Sequence, residues 1–107
     1  MAQDVIEQIK SDIQSNKILI YIKGSVKQPQ CGFSAATVQL FQTLGVPFAT
    51  RDVLSNPDLR AKLPDFSNWP TFPQVFINGK LIGGSDIVHE MHERGELEPL
   101  IKEALGS

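Results

Sequence analysis

A chain of 107 residues, 41% of them hydrophobic, amounts to one domain, long enough to bury about two thirds of the surface its unfolded form exposes. Ten Lys and Arg against twelve Asp and Glu leave a net charge of −2 with no basic run, which excludes an electrostatic footprint for nucleic acid. The single cysteine, Cys31, excludes an internal disulfide framework and suits a reducing compartment, where thiols do redox or metal work.

The opening Met1-Ala2-Gln3-Asp4 has neither a basic region nor an apolar stretch, and no apolar run reaches membrane-spanning length. A cytoplasmic protein without membrane contact, folded as one domain over residues 1–107, is therefore expected. Val5, Ile6, Ile9 and Ile13 form a one-sided stripe that predicts a helix over 4–14, with Asp4 as its N-cap. Ile18 to Ile22 is a continuous apolar run rich in β-branched residues, which predicts a central strand covered on both faces and ending at Lys23. Ala35, Val38, Phe41 and Leu44 then recur at helical spacing, and Gly45 with Pro47 supplies a stop.

Phe48 to Leu54 reads as a second strand, and Asn56-Pro57 as a cap and first helical position, leading a short helix through Leu59 and Leu63 to Pro64. Gln74 to Ile77 and Lys80 to Ile82 flank Asn78-Gly79, the pair that a two-residue type I′ turn requires, so these two strands are antiparallel. Gly83-Gly84 ends the hairpin. Ser85 or Asp86 then caps a helix that uses Ile87, Val88 and Met91 and stops at Gly95, and a last helix buries Leu97, Leu100, Ile101, Ala104 and Leu105. The order α, β, α, β, α, β, β, α, α predicts an α/β fold with a mixed sheet flanked by helices.

Cys31 falls between the first strand and the second helix, where free backbone N–H groups and the helix dipole favour a thiolate, and Lys23 adds a cation at the strand end. A lone cysteine is often only a small buried hydrophobe. Here Gly32 permits close approach by a partner, and Gln28-Pro29-Gln30 reads as an exposed loop. In Cys31-Gly32-Phe33-Ser34, serine stands where a dithiol site has its second cysteine, so sulfur must come from outside the chain.

This motif, with Lys23-Gly24, Trp69-Pro70-Thr71-Phe72-Pro73 and Gly83-Gly84-Ser85-Asp86 at matching distances, resembles the monothiol glutaredoxins of the CGFS type over about Val5 to Leu105. The resemblance implies a thioredoxin-like fold with a four-stranded mixed sheet. It also implies that Lys23 and Arg60, otherwise readable as surface cations, bind the glycine carboxylate of glutathione. Pro73 is implied to be cis, with the main chain of Phe72 pairing with the cysteinyl part of glutathione. The helix N-terminus at Ser85 and the Asp86 carboxylate are implied to hold the γ-glutamyl end; many relatives carry cysteine where this chain has Ser85. His89 and His92, three residues apart, do not match the two-histidine zinc motif and are expected to face solvent.

A [2Fe–2S] cluster commonly needs four thiolates, and one chain supplies only Cys31, so two chains and two glutathiones make up the set. The leading expectation is a homodimer bridged by the cluster, handing it to iron–sulfur acceptor proteins in cluster assembly and iron homeostasis, with a BolA-like partner implied by the resemblance. The alternative is a glutathione-dependent oxidoreductase in which Cys31 attacks protein–glutathione mixed disulfides. The loop from Ser25 to Gln30, longer than in active dithiol relatives, argues against efficient exchange. A third reading is a regulatory binding module without cluster or redox chemistry.

Overall fold

The computed structural model describes residues 2–106. Nine elements follow in the expected order: α1 (Ala2–Ser15), β1 (Ile18–Ile22), α2 (Gly32–Leu44), β2 (Ala49–Asp52), α3 (Pro57–Ser67), β3 (Gln74–Ile77), β4 (Lys80–Gly83), α4 (Ser85–Glu93) and α5 (Leu97–Leu105). The sheet order is β2-β1-β3-β4, with β1 and β2 parallel and the other pairs antiparallel. This is the thioredoxin-like arrangement, a four-stranded mixed sheet with helices on both faces.

Every residue of β1 is buried because the period-2 alternation of a strand sends its side chains into two separate cores. Ile18, Ile20 and Ile22 pack with α2, α4 and α5, including Phe41, Val88 and Ile101. Leu19 and Tyr21 face α1 and α3, where Ile9, Leu59 and Leu63 meet them. The strand that carries the chain to Lys23 is thus clamped from both sides, which gives the following loop a rigid base. The hairpin turns at Asn78 (φ 54°) and Gly79 (φ 82°), the two positive angles of a type I′ turn.

Several boundaries differ from the sequence reading. α1 is already helical at Ala2, so Asp4 lies inside the first turn, where its charge complements the dipole, and is not the cap. β2 spans only Ala49–Asp52, because its partner β1 ends at Ile22, opposite Asp52. Phe48 lies outside the strand and packs on Phe41 instead, with ring centroids 6.0 Å apart. Asn56 does cap α3, its side chain accepting from the Leu59 N–H, but the helix continues through Pro64 to Ser67 and ends at Asn68 (φ 58°). Pro64 has no N–H to give the Arg60 carbonyl, yet its own carbonyl accepts from Asn68 and Trp69, and the Ser67 hydroxyl donates to the Leu63 carbonyl. α4 is preceded by Gly84 in the cap position, so neither Ser85 nor Asp86 caps it. In α5, Leu97, Ile101 and Ala104 are buried, whereas Leu105, at the helix end, is exposed.

Among the described residues, no helix is long and apolar enough to cross a membrane.

Candidate functional site

Cys31 is the cap residue of α2, extended at φ −142° and ψ 131°, with its carbonyl accepting the Ala35 N–H at 2.9 Å. Four hydrogen bonds fix the strand end, its loop and this helix end. The Ser34 hydroxyl, fully buried, accepts the Lys23 N–H at 3.1 Å. The Lys23 carbonyl accepts the Gln30 N–H at 2.8 Å, closing the intervening loop on itself. Asp52, at the end of β2, accepts both the Gly24 N–H (2.9 Å) and the Leu54 N–H (2.8 Å) through one carboxylate oxygen. Gly24 is needed there: its φ is +98°, and a Cβ would sit 2.6 Å from the Gln28 carbonyl oxygen and the Gln30 nitrogen.

This scaffold sets the chemistry of the thiol. Burial pushes the Cys31 thiol up, but the N–H groups of Ser34 and Phe33, the Ser34 hydroxyl and the Lys23 charge together outweigh it and bring the thiol below its ordinary value. A nucleophilic or metal-ligating thiolate is favoured in a cleft whose lining also includes Phe33, 61% exposed.

The cleft has a volume of about 620 Å³, and Lys23, Cys31, Arg60, Phe72, Ser85 and Asp86 all line it. Five separate stretches deliver them: the end of β1, the start of α2, the first turn of α3, the loop before β3 and the start of α4. Among the described residues, neither Lys23 nor Arg60 is paired with a carboxylate, so two cations of the cleft lining are available to an anion. Lys23 is half-buried and Arg60 exposed. The Phe72–Pro73 peptide is cis, and the Phe72 ring packs against the core on the α1 and α3 side. Gly84, also in the lining, passes close to Pro73, and a Cβ there would lie 3.3 Å from the Pro73 carbonyl oxygen.

Three residues escaped the sequence reading. Asp52 is one, the anchor of the loop that leads to Cys31. Gln74, fully buried, donates from Nε2 to the carbonyls of Trp69 (2.8 Å) and Thr71 (3.2 Å), bracing the loop that carries Phe72. A glutamine opening an otherwise apolar strand was the available signal. The third is His89, expected to face solvent but half-buried, with its ring turned back onto Ser85. His92 is also half-buried, with Nδ1 3.5 Å from Glu98 Oε1, so the two histidines have separate partners.

Comparison with known proteins supplies the family. A family model described as glutaredoxin matches residues 18–82. Glutaredoxin 4 of Escherichia coli K12 is 57% identical over 98 residues, covering 92% of this chain and 85% of that protein. The chain belongs to the glutaredoxin family, in its monothiol branch. A probable monothiol glutaredoxin of Legionella pneumophila is 55% identical over 89 residues, covering 83% of this glutaredoxin and 100% of the relative. Among solved structures, the crystal structure of a buckwheat glutaredoxin–glutathione complex superimposes with a TM-score of 0.86 at 29% identity, covering 96% of this glutaredoxin and 92% of that chain.

Proposed function

We propose that this glutaredoxin binds glutathione in the cleft and, with it, carries a [2Fe–2S] cluster between two copies of the chain. The observation that carries the reading is a single thiol, shifted toward its thiolate, in a cleft whose lining also includes two cations without a carboxylate partner among the described residues and the N-terminal turn of α4. Glutathione has a carboxylate at each end and a thiol between them. Lys23 and Arg60 take its glycine carboxylate, the Phe72 main chain pairs with its cysteinyl part, and Ser85 and Asp86 receive the γ-glutamyl end, Asp86 through its ammonium group. The buckwheat complex supports the choice of ligand by likeness.

Cluster carriage follows from a thiolate count. Each chain contributes one thiolate and each bound glutathione one more, so a dimer with two glutathiones presents the four that a [2Fe–2S] cluster commonly takes. The cluster is cargo, handed to acceptor proteins in iron–sulfur assembly and iron homeostasis, in the cytoplasm and with a BolA-like protein as an alternative partner. Anaerobic reconstitution with iron, sulfide and glutathione tests this. A coloured dimer with two irons, two sulfides and two glutathiones is expected, and a colourless monomer when glutathione is withheld or Cys31 is replaced by serine. A coloured, cluster-bearing Cys31→Ser protein that keeps the wild-type circular dichroism would refute the shared-ligand arrangement.

The lowered thiol also favours a second reading, reduction of protein–glutathione mixed disulfides. In that reading the Cys31 thiolate attacks the glutathione sulfur, the protein thiol leaves, and a second glutathione regenerates Cys31 as glutathione disulfide forms. Steady-state turnover matching that of dithiol glutaredoxins would put this reading first.

A further inference from the structure

His89 does not line the cleft, yet its ring reaches back one turn of α4 to a residue that does. Nδ1 lies 2.7 Å from the Ser85 carbonyl oxygen and 3.3 Å from Ser85 Oγ. A carbonyl oxygen can only accept, so a contact of 2.7 Å requires the proton on Nδ1, which leaves the lone pair of the neutral ring on Nε2. The same N–H is shared with the hydroxyl at 3.3 Å, and the hydroxyl therefore accepts on the imidazole side. Ser85 Oγ has no other protein partner among the described residues, so its own proton is directed elsewhere. Ser85 is only 8% exposed, and the surface it keeps is part of the cleft lining.

The geometry points to His89 as a positioning residue that holds the first turn of α4 and turns the Ser85 hydroxyl proton into the cleft, making Ser85 a donor to a ligand carboxylate. Resting on the glutathione reading above, that group is the α-carboxylate of the γ-glutamyl moiety, and the donor adds to the free N–H groups at the start of α4. The pair is a specificity device. A site that commits a partly buried donor to a carboxylate discriminates against a ligand lacking that group, because the donor is then left unpaired.

Two measurements test it. In the free protein, ¹⁵N NMR of the His89 ring should show Nδ1 protonated in the neutral form; the Nε2–H tautomer overturns the assignment without reference to any ligand. Calorimetry then compares glutathione with the analogue in which 4-aminobutanoyl replaces γ-glutamyl and the α-carboxylate is absent. Ser85→Ala is expected to weaken glutathione binding about tenfold and His89→Leu several-fold, with the analogue little affected by either, as a hydrogen bond to a charged group implies. His89→Asn, which keeps a donor near the Nδ1 position, should recover most of the loss. The Ser85→Ala/His89→Leu pair should lose less than the two single losses combined, because without the hydroxyl only the hold of His89 on the Ser85 carbonyl is left to remove. Losses that add in the double variant, or that are equal for the two ligands, overturn the role of His89 while leaving the cleft as a glutathione site. Failure of the wild-type protein to bind glutathione overturns the function proposed above and the ligand assignment with it.

Discussion

Ser34 occupies the position where a dithiol site carries its second cysteine, and its hydroxyl holds the strand end to the helix, fully buried and accepting the Lys23 N–H at 3.1 Å. Ser34→Ala removes the acceptor and leaves the backbone donor at the end of β1 unpaired. An orphaned donor costs about 1–3 kcal/mol, and water reaches part of the half-buried Lys23, so a loss of about 1–2 kcal/mol is expected. For a domain of this size that corresponds to a fall in Tm of about 4–9 °C. Burial raises the Cys31 thiol, and the Ser34 hydroxyl is one of the groups that bring it down; the Ser34 and Phe33 N–H groups and Lys23 remain in the variant. The thiol should therefore titrate at higher pH in the variant, and alkylation by iodoacetamide should slow at neutral pH but match wild type once both thiols are ionised. The sign for stability follows from the same shift. A thiol lowered on folding stabilises the native state above its unfolded value, and that contribution is lost as pH falls through the folded value. The stability gap between the two proteins should thus widen as pH rises through this window and stay constant above it. An unchanged Tm together with superimposable alkylation profiles would refute the reasoning.

Lys23→Gln and Arg60→Gln should each weaken glutathione binding without changing Tm. Calorimetry should find the larger loss, about tenfold or more, for the half-buried Lys23, and only a few-fold loss for the exposed and better-screened Arg60. Equal affinity in both variants and wild type would remove these cations from the site. Gly24→Ala puts a Cβ 2.6 Å from two backbone atoms at a φ of +98°, so about 1–3 kcal/mol of stability should be lost in denaturant unfolding, with an altered Cys31 alkylation profile. Gln74→Leu strips two carbonyls of their donor and should loosen the Trp69–Thr71 loop, read as faster amide exchange there and weaker glutathione binding.

What the sequence determined by itself is what depends on near neighbours in the chain. The two-sided burial of Ile18 to Ile22, the Asn56 cap, the Gly45 stop and the Asn78-Gly79 turn are properties of a few consecutive residues, and each is found where it was expected. The motif residues were also legible, because Cys31, Lys23, Phe72, Ser85 and Asp86 sit in short stretches of recognisable pattern. Only the tertiary structure decided how they converge on one cleft, and which other residues hold them there. The Ser34 acceptor lies 11 residues from its donor, and Asp52 lies 28 residues from Gly24, separations at which neither periodicity nor turn chemistry carries information. Local signals even misled in two places. Pro64 reads as a stop, yet α3 runs past it to Asn68. Ser85 reads as a cap, yet Gly84 takes that position, and the Ser85 hydroxyl faces His89. The bonds that carry α3 past Pro64, from Asn68 and Trp69 to its carbonyl and from Ser67 to Leu63, and the contact between Ser85 and His89 are short-range in sequence, but they exist only once the helix is in place.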